Sequence, residues 1–161
     1  MIGVIKLVKL PLYSTYLIYT AVLGLIMTVI VPRRQIKRLA FWGLIYGSVV
    51  DFLILILYNV FSIGKYKNYG PFAFMGFPFF PLLAWAFYFI IYLYFLPKPR
   101  PFNYVYSIAA AGYCTIFSNI LQNLHIFRWH YGRLVLPFII YLLWNLAVTW
   151  TYQRFFQDKK L

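Results

Sequence analysis

Five long apolar runs, separated by short basic segments, constrain this chain more than any other feature of its sequence. A helix that spans a membrane needs about 20 apolar residues, and each run comes close to that length. Pro32, Pro97, Pro99 and Pro101 lie at the ends of runs, where a helix must begin or end. The sequence therefore predicts one domain, residues 1–161, folded as an all-α bundle of five transmembrane helices. The predicted spans cover residues of about 11–31, 39–61, 78–96, 102–124 and 134–155.

The solvent of such a chain must be lipid for most of its length. Hydrophobic residues make up 64% of the 161 residues, against roughly 45–50% in soluble domains. A soluble core of this size could not bury so much apolar surface, which excludes an ordinary soluble domain. The first run is too long for a signal peptide and lacks a small-residue cleavage site, so we expect it to be a retained span.

The net charge of +13 is spread between the apolar runs rather than gathered on one face. Nucleic-acid binding needs a contiguous basic surface and is not expected. With residues 33–38 as a cytoplasmic loop, nine cations lie inside and six outside, which predicts a multi-pass cell-membrane protein with its N-terminus outside and its C-terminus in the cytoplasm. The inside cations are Arg33, Arg34, Lys37, Arg38, Lys98, Arg100, Arg154, Lys159 and Lys160; the outside cations are Lys6, Lys9, Lys65, Lys67, Arg128 and Arg133.

Two prolines break the start of the third span. Pro78 and Pro81 cannot both lie inside one regular helix, so we expect the helix to begin near Phe80 and to end near Leu96. Residues 70–79 are then an irregular apolar segment. Irregular backbone is not tolerated in contact with lipid, so this segment should lie at the interface or be covered by protein.

Asp51 stands in the middle of the second span and is one of only two acidic residues, the other being Asp158. A charge at that depth costs roughly 2.5–3.5 kcal/mol on insertion scales, and no Lys or Arg lies at mid-depth in any span. We expect Asp51 to be protonated, or to share hydrogen bonds with amides such as Asn119 or Asn145. Its role is open between a functional acid and a packing residue.

Three of the spans carry a stripe of small or polar residues on one face. In the second span, Gly43 and Gly47 form a GxxxG pair, which permits close helix contact, and Asp51 lies on the same face. We predict that spans two, four and five pack stripe to stripe, either as a dry core or around a polar cavity. The predicted packing residues are Gly43, Gly47 and Ala111; the predicted polar cluster is Asp51, Ser118, Asn119, Gln122 and Asn145.

The segment 125–133, HIFRWHYGR, lies between the last two spans. Arg128, His130 and Arg133 are either a lipid-headgroup site or an interfacial anchor. His125 and His130 are five residues apart and do not share a helix face as a zinc pair does. The single cysteine, Cys114, can form neither an internal disulfide nor a cysteine-based zinc site. We expect no metal and no cofactor.

The sequence lacks the usual enzyme signatures, namely a carboxylate pair, a nucleophile elbow and a phosphate-binding glycine loop. We therefore hypothesise a non-enzymatic membrane protein that acts by association in the lipid bilayer, as a subunit or partner of a membrane complex or as a homo-oligomer. A transporter or channel component that uses Asp51 and the polar stripe of the fourth span is the alternative. An intramembrane lipid-modifying enzyme is a third and more remote one.

Several local patterns resemble one family. They are Lys37 and Arg38 at the start of the second span, an acid within that span, the proline-rich start of the third, YLYFLPK at its end, and Trp129–His130 followed by Pro137. With these patterns, residues of about 30 to 155 resemble an uncharacterised family of small five-span membrane proteins of endospore-forming Firmicutes. The resemblance implies a bacterial cell membrane and no particular activity.

Overall fold

Helices make up most of residues 11–157, the part of the chain that the structure, a computed structural model, describes. This confirms the all-α class. Lys6, Lys9, Asp158, Lys159 and Lys160 lie outside the described residues. The helices are α1 (Ser14–Ile30), α2 (Arg33–Gly43), α3 (Val50–Val60), α4 (Phe79–Phe95), α5 (Arg100–Asn123) and α6 (Val135–Tyr152). The strands are β1 (Gly64–Tyr66), β2 (Ala73–Phe74), β3 (Phe77–Pro78) and β4 (Phe127–Trp129), and two π-helical segments cover Leu44–Val49 and Gln153–Gln157.

Three helices are long and apolar enough to cross a membrane, judged by length and composition: Arg33–Val60, Pro101–Asn123 and Val135–Phe156. The first of these joins α2, a π-helical segment and α3 into 28 residues. Helices α1 and α4 are apolar but have 17 residues each, or roughly 25 Å at 1.5 Å per residue. The structure thus leaves the count of five spans as a prediction.

Two local predictions are corrected by the structure. Residues 33–38 are not a loop, because α2 begins at Arg33, directly after Pro32, whose fixed φ suits a helix start. Residues 73–78 are not irregular, because β2 and β3 pair as a hairpin that places Pro78 immediately before α4. Pro81 then lies in the first turn of α4, where its missing N–H removes no helical hydrogen bond.

Strands β1 and β4 pair antiparallel at one end of the bundle, with Lys65 opposite Arg128. The hydroxyl oxygen of Tyr16 in α1 lies 2.5 Å from the carbonyl oxygens of both Lys67 and Ile126, so it joins the start of α1 to the chain beside both strands. We call this end of the bundle the strand end. The opposite end, where α2 and α5 begin and α4 and α6 finish, we call the basic end.

Helix α4 lies at the centre and packs against α1 and against Arg33–Val60. A Cβ atom added at Gly47 would lie 2.5 Å from backbone atoms of Trp85, and one at Gly43 would lie 2.9 Å from the carbonyl oxygen of Ala86. The prediction that span two packs on spans four and five through this face is therefore wrong, whereas the predicted packing of spans four and five on each other is confirmed. The glycine face of the second span packs on α4, while α5 packs on α6.

A hydrogen bond connects α6 with the second span. The indole N–H of Trp144 donates to the carbonyl oxygen of Tyr46 over 3.0 Å. Tyr46 lies in the π-helical segment, and such segments disturb the regular i to i+4 bonding of a helix. The segment therefore offers an acceptor to a neighbouring helix halfway along an otherwise apolar stretch.

Candidate functional site

A cleft of about 360 Å³ lies between α1 and α5 in the half of the bundle nearer the strand end. Helix α4 and Tyr141 of α6 form its floor, and residues of β1 and β4 close it towards the strand end. We call it the lateral cleft. Its lining residues are Ile18, Tyr19, Val22, Leu23, Ile26, Tyr66, Pro81, Ala84, Trp85, Tyr88, Tyr113, Cys114, Phe117, Ser118, Leu121, Phe127 and Tyr141.

The lateral cleft opens at the side of the bundle. Ile18 and Val22 on the α1 rim and Tyr113 on the α5 rim are exposed residues. Helix α1 packs on α4, and the edge-to-face contact of Tyr19 with Phe117, at 5.6 Å between ring centroids, bridges the two rims. If the bundle spans a membrane, this opening faces lipid hydrocarbon.

Few polar groups face the lateral cleft, and most of them are phenols. Tyr88 donates to the Oδ1 atom of Asn145 over 2.9 Å, which fixes its ring on the floor. Tyr66 belongs to β1, outside the helices, and burial of its hydroxyl raises the pKa of this phenol well above its ordinary value. Tyr66 therefore stays a neutral hydrogen-bond donor at physiological pH. A pocket that is mostly apolar with a few convergent polar groups is typical of a small-molecule site.

Asp51 lies on α3, does not line the lateral cleft and is only 3% exposed. Its Oδ2 atom has no hydrogen-bond partner among the described residues. Buried polar atoms are nearly always paired, so an orphaned carboxyl oxygen needs a functional or structural explanation.

The prediction that Asp51 shares hydrogen bonds with side-chain amides is wrong for the described residues. Asn119 donates from Nδ2 to the carbonyl oxygens of Thr115 (2.9 Å) and Arg133 (2.7 Å). Asn145 donates to the carbonyl oxygen of Tyr141 over 2.8 Å. Each amide thus finds a backbone acceptor on its own helix or on the adjacent loop, which satisfies it locally without a partner on the second span.

The predicted polar cluster does not form a single site. Ser118 accepts the indole N–H of Trp129 over 3.3 Å, and the Oε1 atom of Gln122 accepts the backbone N–H of the same Trp129 at 3.5 Å. Of the five predicted members, Ser118 is the one that lines the lateral cleft. Ala111 is fully buried in α5, the helix that packs along α6.

The sequence interpretation missed the tyrosines of α4. The Tyr92 hydroxyl lies 2.8 Å from Oγ of Ser107 and 2.6 Å from Oγ1 of Thr149, and these two hydroxyls are 3.0 Å apart. One phenol thus joins α4, α5 and α6. The available signal was the i, i+4 spacing of Tyr88 and Tyr92, which places two hydroxyls on one face of an otherwise apolar helix.

The predicted headgroup residues are dispersed along the strand end. Arg128 is exposed on β4, and Arg133 is exposed in the loop before α6. The Nδ1 atom of His130 lies 2.7 Å from the carbonyl oxygen of Ser62, so this ring makes a loop contact. Within residues 11–157 no group of three or more His, Cys, Asp or Glu side chains is placed to hold a metal ion.

Comparisons with protein families, with curated proteins and with solved structures give no match to this chain. The resemblance to the five-span family of endospore-forming Firmicutes therefore stays a prediction.

Proposed function

We propose that this chain is an integral membrane protein of five transmembrane helices that acts without catalysis, by association within the cell membrane. The associated group is an apolar chain of a lipid-like molecule that lodges in the lateral cleft. The observation that carries this proposal is the cleft itself, which is apolar, open at the side and floored by a few phenol groups.

The outer surfaces of the bundle support a five-span arrangement. Large apolar side chains are exposed along α1, for example Leu25 and Val29, and along α5, for example Val105 and Ile116. Soluble monomers rarely expose contiguous apolar surface on this scale. Helix α4 packs on Arg33–Val60, and α1 packs on α4, so a bilayer that covers Arg33–Val60 also covers these two.

The size of the lateral cleft favours a narrow chain over a partner helix. An α-helix with side chains is about 10–12 Å wide, so three turns of one occupy roughly 1,300–1,800 Å³. The cleft holds about 360 Å³, which suits an alkyl or isoprenoid chain. The phenols that line the cleft would donate hydrogen bonds to the few oxygen atoms that such a molecule carries.

A pair of neighbouring residues allows a matched test. Ile18 lines the lateral cleft and is 49% exposed, whereas Leu17 is 47% exposed and does not line it. We expect native mass spectrometry from mild detergent to show a lipid-like adduct on the wild-type protein and on Leu17→Trp. The adduct should fall severalfold on Ile18→Trp, because the indole fills the rim of the cleft.

Equal adducts on both variants, or none on the wild type, would contradict lodging in the lateral cleft. Co-purification of a protein partner with both variants, without any adduct, would assign the association to an exposed helix face instead.

A second candidate function is that of a transporter or channel component, and the unpaired Oδ2 atom of Asp51 favours it. A cavity of about 130 Å³ at the strand end is lined by Leu55, one helical turn from Asp51. This candidate predicts proton or solute flux into liposomes that is lost in Asp51→Asn and partly kept in Asp51→Glu. Undiminished flux in Asp51→Asn would rule out a role for the carboxyl.

A further inference from the structure

A second cavity, of about 550 Å³, lies at the basic end of the bundle. Three regions line it: Gln35, Arg38 and Leu39 come from α2, Tyr152 and Phe156 from the end of α6 and its π-helical extension, and Leu93, Tyr94, Leu96 and Lys98 from the end of α4 and the connection after it. We call it the basic pocket. It shares no lining residue with the lateral cleft.

We propose that the basic pocket binds the phosphate headgroup of an anionic membrane lipid. This inference rests on the proposed arrangement in the membrane but not on the lateral cleft, because it concerns the other end of the bundle and a charged group rather than an apolar chain.

The charge of the basic pocket favours an anion. Arg38 and Lys98 lie on its wall, and no acidic residue among residues 11–157 lines it. Three further cations on α2 stand at the same end, namely Arg33, Arg34 and Lys37. A guanidinium group can bind a phosphate through two parallel hydrogen bonds, while an ammonium group adds a point charge. Basic pockets between transmembrane helices are typical sites of anionic headgroups.

Neutral donors lie close to these cations. Tyr152 is buried at the end of α6 and lines the same pocket as Arg38. The side-chain amide of Gln35 also lines the pocket. A headgroup with several phosphate oxygens can accept from donors arranged in this way.

The remaining wall distinguishes a lipid from free phosphate. Leu39, Leu93, Leu96 and Phe156 are apolar and line the same pocket. They would contact the glycerol and the first carbons of the acyl chains, which inorganic phosphate lacks. The pocket also stands where the helices end, which is headgroup depth for a bundle that spans the membrane.

A matched pair of double variants tests the proposal. Arg38→Gln/Lys98→Gln removes both cations of the basic pocket. Arg34→Gln/Lys37→Gln removes one arginine and one lysine at the same end, both exposed and neither lining the pocket. Phosphatidylglycerol and phosphatidylcholine are titrated into detergent-purified protein, and bound lipid is measured by native mass spectrometry.

We expect the wild type to prefer phosphatidylglycerol. Arg38→Gln/Lys98→Gln should weaken its binding about tenfold or more, since it removes both cations that line the pocket. Arg34→Gln/Lys37→Gln should weaken it by much less. Inorganic phosphate at equal concentration should not displace the lipid.

Equal losses in the two double variants would show diffuse surface attraction and overturn the proposal, as would unchanged binding in both. Full displacement by inorganic phosphate would assign the pocket to the free anion instead. If Arg38→Gln/Lys98→Gln does not fold, Lys98→Gln alone, with Lys37→Gln as its control, makes the same comparison at two exposed lysines.

Discussion

At Gly47 the backbone of the long helix Arg33–Val60 lies against the backbone of α4. The space for its side chain is occupied by backbone atoms of Trp85 and Ala86, which cannot move aside as a flexible side chain could. Close backbone approach of this kind is how small residues stabilise helix contacts in membranes, where van der Waals packing replaces the hydrophobic effect. The contact therefore depends on one missing methyl group.

We predict that Gly47→Ala destabilises the protein by about 1–3 kcal/mol, the usual range for overpacking. Thermal unfolding in detergent measures the change. Gly112→Ala is the control, because a Cβ atom there meets nothing within 4 Å. It should be neutral or stabilising by up to about 1 kcal/mol, since alanine favours a helix over glycine. Equal melting temperatures for Gly47→Ala and the wild type would contradict the close contact.

At the scale of elements, α4 holds the bundle together. It packs against α1 and against the long helix Arg33–Val60 through apolar and small side chains. The hydroxyl of Tyr92 connects it to α5 and α6. Its central position explains why it can be both short and apolar all round. A helix that is buried on most sides does not need an amphipathic pattern.

Tyr92→Phe removes the hydroxyl that joins α5 and α6 to α4. Interhelical hydrogen bonds in membrane proteins average about 0.6 kcal/mol and reach about 1.7 kcal/mol, so we expect a loss of stability within that range. Reversible unfolding in mixed detergent measures it, and a double-mutant cycle with Thr149→Val isolates the contribution of the pair. Tyr104→Phe, at a residue that is 50% exposed on α5, should change nothing.

At the scale of the whole molecule, the two ends differ in structure and in charge. The strand end carries β1 to β4 and the exposed cations Lys65, Arg128 and Arg133. The basic end has short connections between its helices. The four cations of α2 lie there: Arg33, Arg34, Lys37 and Arg38. The positive-inside rule then predicts that the basic end faces the cytoplasm.

Single cysteines in a Cys114→Ala background test this orientation together with the crossing of Arg33–Val60. We expect an impermeant maleimide to label Lys65→Cys and Arg133→Cys in intact cells, and Lys37→Cys only after permeabilisation. All three positions are exposed. The reverse pattern would invert the orientation. Labelling of Lys65→Cys and Arg133→Cys from opposite sides would contradict the crossing of α4 and α5 as a pair.

The periodicity of the sequence was enough to predict which faces of the helices turn inward. Gly43, Gly47 and Asp51 are buried on the second span, and Ala111 and Ser118 are buried on α5. The prolines marked helix boundaries to within a few residues. Both signals are local, because helix geometry and proline chemistry depend on neighbouring residues alone.

Only the tertiary structure decided which faces meet and where space remains. A small-residue face can pack on any helix that presents small residues and accessible backbone, and Ala86 of α4 provides that surface for Gly47. A side-chain amide can donate to a carbonyl oxygen of its own helix. Asn119 and Asn145 do so, and neither donates to Asp51. The lateral cleft and the basic pocket are gaps between helices that lie far apart in the chain. Sequence periodicity determines the direction in which a side chain points, whereas the distance to the next helix depends on the packing of the whole bundle.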